Sequence, residues 1–441
     1  MINSFKLLFL GCCLAIFATT ACQLEDIPDP NGPSLDPILQ DASIGELQNL
    51  VTGTESLLRQ EIGFYYDVTS IVGRDYWYFT GSDPRYTGEL LGKDNAVLDN
   101  AGFYGTRPYA GRYRTIKNAN ILIEAVTNTS APLSDAERKG YLGFAKTMQA
   151  YELHLALNLQ GQNGIRVDVS DPDNLGPFLS YDDALAAIKA LLDEAADDLD
   201  AAGSSFVFSL SEGFTGFDTP ATFRQFNRAL AARIAMYQGN KAEVNKDLGE
   251  SFMDMAGDFY TGPYRPFSTA GGEATNPVYR VPDQPEGIIA HPSFVAAVQA
   301  NMNDDRNNKI ALRPSGTLAL DDLAGDYDVV VYNSLDAPIH YIRNEELILL
   351  SAEAQIGVDN NAAVDAINVI RTGHGLDPYA GDMTDEALID EVLNQRQLSL
   401  FAEGHRWVDM RRYGRLDQLP IDRPNDDVWS EFPRPVSEVG N

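Results

Sequence analysis

Glu403-Gly404-His405-Arg406-Trp407-Val408-Asp409-Met410-Arg411-Arg412 is the stretch on which the reading of this chain turns. Glu403 stands three residues before Arg406 and Asp409 three after it, so in a helical geometry one guanidinium reaches both carboxylates. Together with Trp407 and the upstream Arg396, this is expected to be a buried charge cluster that fixes the closing helices against the body. An anion site is the rival reading, and it fits less well because buried charges persist when they are paired with one another. Gly404 interrupts the helical pattern just before Arg406.

Working outward, Leu347, Leu350 and Ala354 recur at helical spacing over 342–356, and Ala363, Ile367 and Ile370 do so over 362–371. Two helices joined by so short a link pack antiparallel. A third helix over 385–401 carries Ile389, Val392, Leu393 and Leu400. Arg343-Asn344-Glu345-Glu346, Ser351-Ala352-Glu353-Ala354 and Ala366-Ile367-Asn368-Val369-Ile370-Arg371, followed by the 403–412 stretch, resemble the SusD/RagB family. Cys22 to Pro30, Ser82-Asp83-Pro84-Arg85 and Ala229 to Gly239 extend the resemblance to its shorter branch. Where that family usually has Glu-Arg-Arg and a further Glu, this chain has Gln395-Arg396-Gln397 and Ser399, so part of the family's internal ion network is expected to be missing.

The resemblance implies a mainly α, tetratricopeptide-like stack with a loop-rich ligand-binding face. It also implies a cell-surface lipoprotein of the outer membrane that caps a TonB-dependent, SusC-like transporter and hands it a nutrient, most often an oligosaccharide. No catalysis and no cofactor go with that role. The family's ligand contacts differ between members, so the resemblance transfers none of them.

Composition agrees with a soluble surface. Lys+Arg 33 against Asp+Glu 64 gives a net charge of -31, which disfavours nucleic acid, whose backbone needs cations to replace its counterions. Lys6, an apolar run over 7–17 and the small residues before Cys22 have the layout of an export signal over 1–21. Cys22 is the expected lipidation site, and 22–40, rich in proline, the lipid anchor and tether. All three cysteines lie at or before position 22, so no disulfide framework exists beyond it.

The remainder, 41–441, reads as one domain, with helical repeats over about 41–60, 107–256 and 342–415. Ser43 with Glu46 and Ser134 with Glu137 have the spacing of capping boxes. Between the repeats lie two loop-rich regions, about 61–106 and 258–340, dense in aromatics, Gly, Pro and Asp. A sugar ring presents a face of C–H bonds that stacks on an aromatic plane, so exposed loop aromatics beside polar side chains suit a glycan. Trp77 leads the candidates, with Tyr76 and Tyr78 beside it, since consecutive residues of an extended stretch face opposite ways and at least one is exposed. Tyr86, Tyr104, Tyr264 and Tyr279 follow, and for any single ring a place in the core is an equal reading.

Five dispersed histidines, with no His-Glu-x-x-His pattern, give no metal centre. Asp168, Asp171 and Asp173, and also Asp326 and Asp328, read as solvated turns in preference to calcium loops. Nucleophile elbows and nucleotide loops are absent. Two readings from other classes stay open: a helical glycoside hydrolase, since two carboxylates suffice and the chain has many, and a scaffold that binds only proteins.

Overall fold

The computed structural model describes residues 35–439. The export signal, Cys22 and most of the tether therefore lie outside the described residues. Residues 36–40, read as tether, belong to a short helix, α1 (Asp36–Asp41), with Pro37 in its first turn. It is fastened by Asn128, whose Nδ2 donates to the Leu39 carbonyl at 2.9 Å, and by Asp41, which accepts from Ser130.

Helices α2 (Ile44–Leu57), α3 (Ile62–Val72), α4 (Phe103–Asn128), α5 (Asp135–Gln160), α6 (Tyr181–Asp200), α7 (Pro220–Tyr237) and α8 (Lys241–Gly249) form the first body of the molecule. From α4 onward each packs on its successor, as helices joined by short connections must. Ser43 and Ser134 make the capping boxes their spacing announced, each hydroxyl accepting from the backbone three residues on. Tyr141, Ala145, Met148 and Leu155 line the buried side of α5, and Leu185, Ile188, Leu192, Ala195 and Leu199 that of α6. The two helices approach closely at Gly143, where a Cβ would lie 2.5 Å from Leu199 Cγ.

A second helical unit is made by α10 (Asn344–Gln355), α11 (Asn360–Gly373) and α12 (Asp385–Ser399), mutually packed and joined to the first through α7 and α8. Helix α9 (Pro292–Gln299) packs on α12 from outside this set.

The regions 61–106 and 258–340 are not simply loops. α3 fills much of the first, and strand β1 (Tyr76–Phe79) follows it. Short ladders β2 (Ile165–Arg166) with β3 (Phe178–Leu179), and β4 (Tyr264–Arg265) with β10 (Ile339–His340), lie elsewhere. The main sheet is antiparallel, in the order β1, β5 (Gly287–Ala290), β9 (Tyr327–Val329), β6 (Ile310–Leu312), with Tyr76 opposite Ala290 and Trp77 opposite Ile289. Strands β7 (Leu318–Leu320) and β8 (Leu323–Gly325) make a separate hairpin. Gly287, Ile288, Ile289 and Ala290 are all buried, so β5 has no alternating pattern to betray it.

The chain leaves α12 through Ala402 and Gly404, both at positive φ, and enters α13 (Arg406–Arg412) against α3. A Cβ on Gly404 would stand 2.6 Å from Thr69 Oγ1. This break takes Glu403 off the helix of Arg406, which corrects the pairing expected from the spacing. Glu403 pairs with Arg343. Asp409 accepts from Arg396 Nε at 2.7 Å and from Arg412 at 2.8 Å, and Arg412 continues to Glu353 at 2.8 Å. Arg233 forks Glu346 at 2.7 and 2.6 Å. Arg406 instead interacts at longer range with Asp75 and then Asp409. Gln395 and Ser399, where the sequence resemblance led to the expectation of acids, accept from Arg306 at 2.8 and 3.0 Å, so neutral oxygens serve at these two places.

Residues 416–439 run back across the molecule. Arg74, buried, donates to the carbonyls of Pro420 at 3.2 Å and Asp427 at 2.7 Å. Trp407 donates to the Trp429 carbonyl, Trp429 to that of Glu89, and the Phe432 ring is fully buried.

These buried charges set a pH profile. Burial pushes His340 and His405 down to about 4 from 6.5, so their share of stability is complete above pH 6.5 and lost as pH falls toward 4. Burial raises Asp75 and Glu152 to about 7 from 3.8 and 4.5, and they act oppositely, stabilising the fold as pH falls through the same window. Glu346, against the burial that would raise it, is brought down to about 2 by Arg233, so its share is lost only as pH falls from about 4.5 toward 2. His154, lowered further by burial, acts with the histidines, and Glu55 and Asp67, raised by burial, act with the acids, so the expected urea midpoint is nearly level from pH 7 to 4.5 and falls steeply below. A steady decline from pH 7 would contradict the assignment of Asp75 and Glu152.

Candidate functional site

Three segments distant in sequence build an open groove of about 430 Å³. Helix α3 supplies Phe64 and Asp67, which face the same way at i and i+3. Strand β1 supplies Tyr78, the one residue of its four that is not fully buried. The short turn Pro84–Tyr86 brings Tyr86 to Tyr78, ring centres 4.6 Å apart and planes tilted by 56°. The loop after β4 adds Arg280, which lies 5.2 Å from the Tyr78 ring centre and donates to Asp67 Oδ2 at 3.1 Å. Gly63 lets that loop settle on α3, because a Cβ there would stand 2.8 Å from Pro277.

Polar groups are held in place by their neighbours. Tyr76, behind the groove, donates its hydroxyl to Asp67 Oδ1 at 2.9 Å. Burial raises the Asp67 carboxyl, and Arg280 and Tyr76 oppose that shift. At the rim, Arg107 from α4 forks Glu61 at 2.9 and 3.1 Å while its guanidinium covers the Phe64 ring at 4.1 Å. A concave surface with two tyrosine rings, two arginines and a fixed carboxylate suits a flat, hydroxyl-rich ligand.

Of the residues expected from the sequence, Tyr78 and Tyr86 meet here. Trp77 does not. It is 5 % exposed, turned to the other side of the sheet, stacked on Phe79 and bonded through Nε1 to Asp422 at 2.9 Å. Neighbours of a strand do face opposite ways, but this strand is covered on both sides and leaves only Tyr78 half open. Tyr76 is buried and serves by orienting Asp67. Tyr104 is fully buried, its hydroxyl against Glu89 and the Asp99 backbone. Tyr279 sits beside Arg280 and accepts from it through its carbonyl. Tyr264 lies apart, edge-on to His340 at 5.7 Å. Phe64, Asp67, Arg107 and Arg280 were not among the expected residues. The i, i+3 pairing of Phe64 with Asp67 is the signal that would have found two of them, once α3 was recognised.

Of the aspartates read as solvated turns, Asp328 is corrected, since it is buried within β9 and paired with Arg313, and the others lie outside helix and strand. Asp168 accepts from Ser170, Asp171 from the Asp173 backbone, Asp326 from Thr317, and Asp328 from Arg313 and the Asp283 backbone. Among the described residues Asp304, Asp305 and His374 have metal-ligand spacing, but Arg306 forks Asp304 at 2.8 Å and His374 bridges Asp305 and Glu345 at 2.6 and 2.7 Å.

Residues 328–431, which hold β9 through the 403–412 stretch and the start of the returning segment, match the sequence model of the SusD family. The fold is SusD-like. A SusD superfamily protein from Bacteroides vulgatus superposes with a TM-score of 0.67 at 16% identity, over 89% of this chain and 96% of that one. A laminarin-binding SusD-like protein gives 0.63 at 16% identity, over 91% and 98%. Surface glycan-binding protein A from Bacteroides uniformis gives 0.61 at 17% identity, over 84% and 88%. No curated protein matches. The SusD-like fold thus extends through the helical stack and both aromatic-rich regions, well beyond the segment that carries the family's sequence. No helix among the described residues is long and apolar enough to cross a membrane.

Proposed function

We propose that this SusD-like chain is a binding protein that captures an oligosaccharide in the Tyr78–Tyr86 groove and passes it to a TonB-dependent, SusC-like transporter. It is held at the cell surface of the outer membrane by lipid on Cys22 and performs no chemistry. The groove carries the reading: an open cleft with two adjoining tyrosine rings and a carboxylate and guanidinium locked together is built to stack and hydrogen-bond a sugar. The carbohydrate-binding names of two structural neighbours support the ligand class. Binding is favoured over hydrolysis because the groove's acids are engaged, Asp67 by Tyr76 and Arg280 and Glu61 by Arg107, whereas a glycosidase needs a free pair across the scissile bond.

The test is calorimetric titration with neutral oligosaccharides, laminarin-derived ones first. Saturable binding without turnover is expected, weakened about tenfold or more by Tyr78→Ala, the order of one lost aromatic contact plus a hydrogen bond. Turnover of the glycan, or binding indifferent to Tyr78, would sink the reading. For the partner, purification from native outer membrane in mild detergent is expected to yield a β-barrel transporter in near-equal amount, with Cys22 lipidated.

A further inference from the structure

On the part of the surface built by 257–260, 330–340 and the end of α11 lies a second, larger cleft, of about 680 Å³. It shares no lining residue with the Tyr78–Tyr86 groove. Tyr260 stands at it 58 % exposed, an unusual exposure for so large a ring, with Arg343 5.5 Å from its centre and His340 at 6.2 Å. Three cations line the cleft, and two of them are paired with carboxylates. Arg306 gives its donors to Asp304, Gln395 and Ser399. Arg343 gives its own to Glu345, Glu403 and the Ser399 carbonyl.

Lys309 differs. Its ammonium has three donors, and the carbonyls of Leu398 and Ser399 take two. Among the described residues no carboxylate lies within ion-pair distance of it, while the other cations of the cleft each have one. A half-buried lysine whose ammonium is held by neutral carbonyls, lining the same cleft as an exposed ring, is matched by a ligand that has an anionic group on a flat apolar face. Burial draws Lys309 down to about 8, against the opposing pull of Glu345 and Glu403, which lie beyond ion-pair distance.

We propose that this cleft is a second ligand site, separate from the groove, and that it takes a uronic acid unit of an acidic oligosaccharide, carboxylate to Lys309 and ring face to Tyr260. The choice of a sugar rests on the function proposed above; the requirement for an anion rests on Lys309 and is independent of it. The chain's own net charge of -31 repels anions at long range, so recognition must come from this local pairing.

The experiment is titration of the purified chain at 0.15 M salt, where long-range repulsion is screened beyond about 8 Å. The probes are a galacturonic acid oligomer, a neutral oligosaccharide of equal length, and a glutamate-rich peptide. Saturable binding of the galacturonate oligomer is expected, weakened roughly three- to tenfold by Tyr260→Ala and unchanged by Tyr78→Ala. Lys309→Gln is expected to remove the preference for the acidic over the neutral sugar, and thermal unfolding of that variant reports whether its ties to α12 survive. Since Tyr260 is exposed, Tyr260→Ala keeps the test decisive if Lys309→Gln does not fold. The proposal is overturned if the galacturonate oligomer does not bind, if its binding is lost with Tyr78 and not with Tyr260, or if the peptide competes for Tyr260 with higher affinity. Failure of the neutral sugar in the groove, with the galacturonate oligomer still bound at Tyr260, would reject the first reading and leave this one standing.

Discussion

Asp409→Ala is expected to destabilise the fold by about 3–5 kcal/mol, the usual cost of leaving one member of a buried ion pair uncompensated. Arg396 is 1 % exposed and Asp409 is its one ion-pair partner among the described residues. Arg412 would keep Glu353, so the damage concentrates on Arg396. Urea unfolding followed by circular dichroism measures the loss. The double variant Arg396→Met with Asp409→Leu should recover much of it, because removing both charges also removes their desolvation cost. A loss under 1 kcal/mol for Asp409→Ala would mean that water reaches Arg396, and the charge cluster would not be the clamp described here.

Trp77→Ala should cost about as much, roughly 3–5 kcal/mol for emptying a large aromatic site in the core. Beyond the cavity, it removes one donor from Asp422, which keeps His291 Nε2 at 2.6 Å and Arg74 Nε at 3.5 Å. The protein that remains folded should bind sugar with unchanged affinity. Tyr78→Ala should behave the opposite way, sparing the unfolding midpoint and weakening the ligand. If Trp77→Ala instead left stability intact and abolished binding, the ring would be a ligand platform and the sheet placement wrong.

That contrast shows where the sequence was legible. Long helices announce themselves by period and caps: Ser134 with Glu137 and the Tyr141, Ala145, Met148 stripe located α5, and Leu347, Leu350 and Ala354 located α10. Most of the sheet was not legible, because its strands have three or four residues, come from opposite parts of the chain, and include β5, which is buried throughout. An aromatic cluster such as Tyr76-Trp77-Tyr78-Phe79 reads identically whether its rings face ligand or core; only the partner strand, Gly287–Ala290, decides which. The charge cluster was read correctly in kind and wrongly in its pairs. Spacing presumed an unbroken helix, and Gly404 at φ +76° redirected Glu403 to Arg343. For the groove, the chain named Tyr78 and Tyr86, but Arg280 enters through a tertiary contact about two hundred residues away from either, a distance no local pattern spans.

The returning segment bears on how the molecule reaches this state. Arg74 finds its acceptors at Pro420 and Asp427, Trp77 at Asp422, and Leu159 meets Phe432. A nascent chain made only as far as Arg415 therefore holds all of the helical repeats and every described strand, yet has an indole without its acceptor and a buried arginine left with the carbonyls of Ile71 and Val72 alone. Closing loops of some 350 residues is entropically slow and brings its reward only at the end. The aromatic strand that the groove is built on is thus among the last parts to become secure, and assembly of the binding surface awaits synthesis of the segment that straps it from behind.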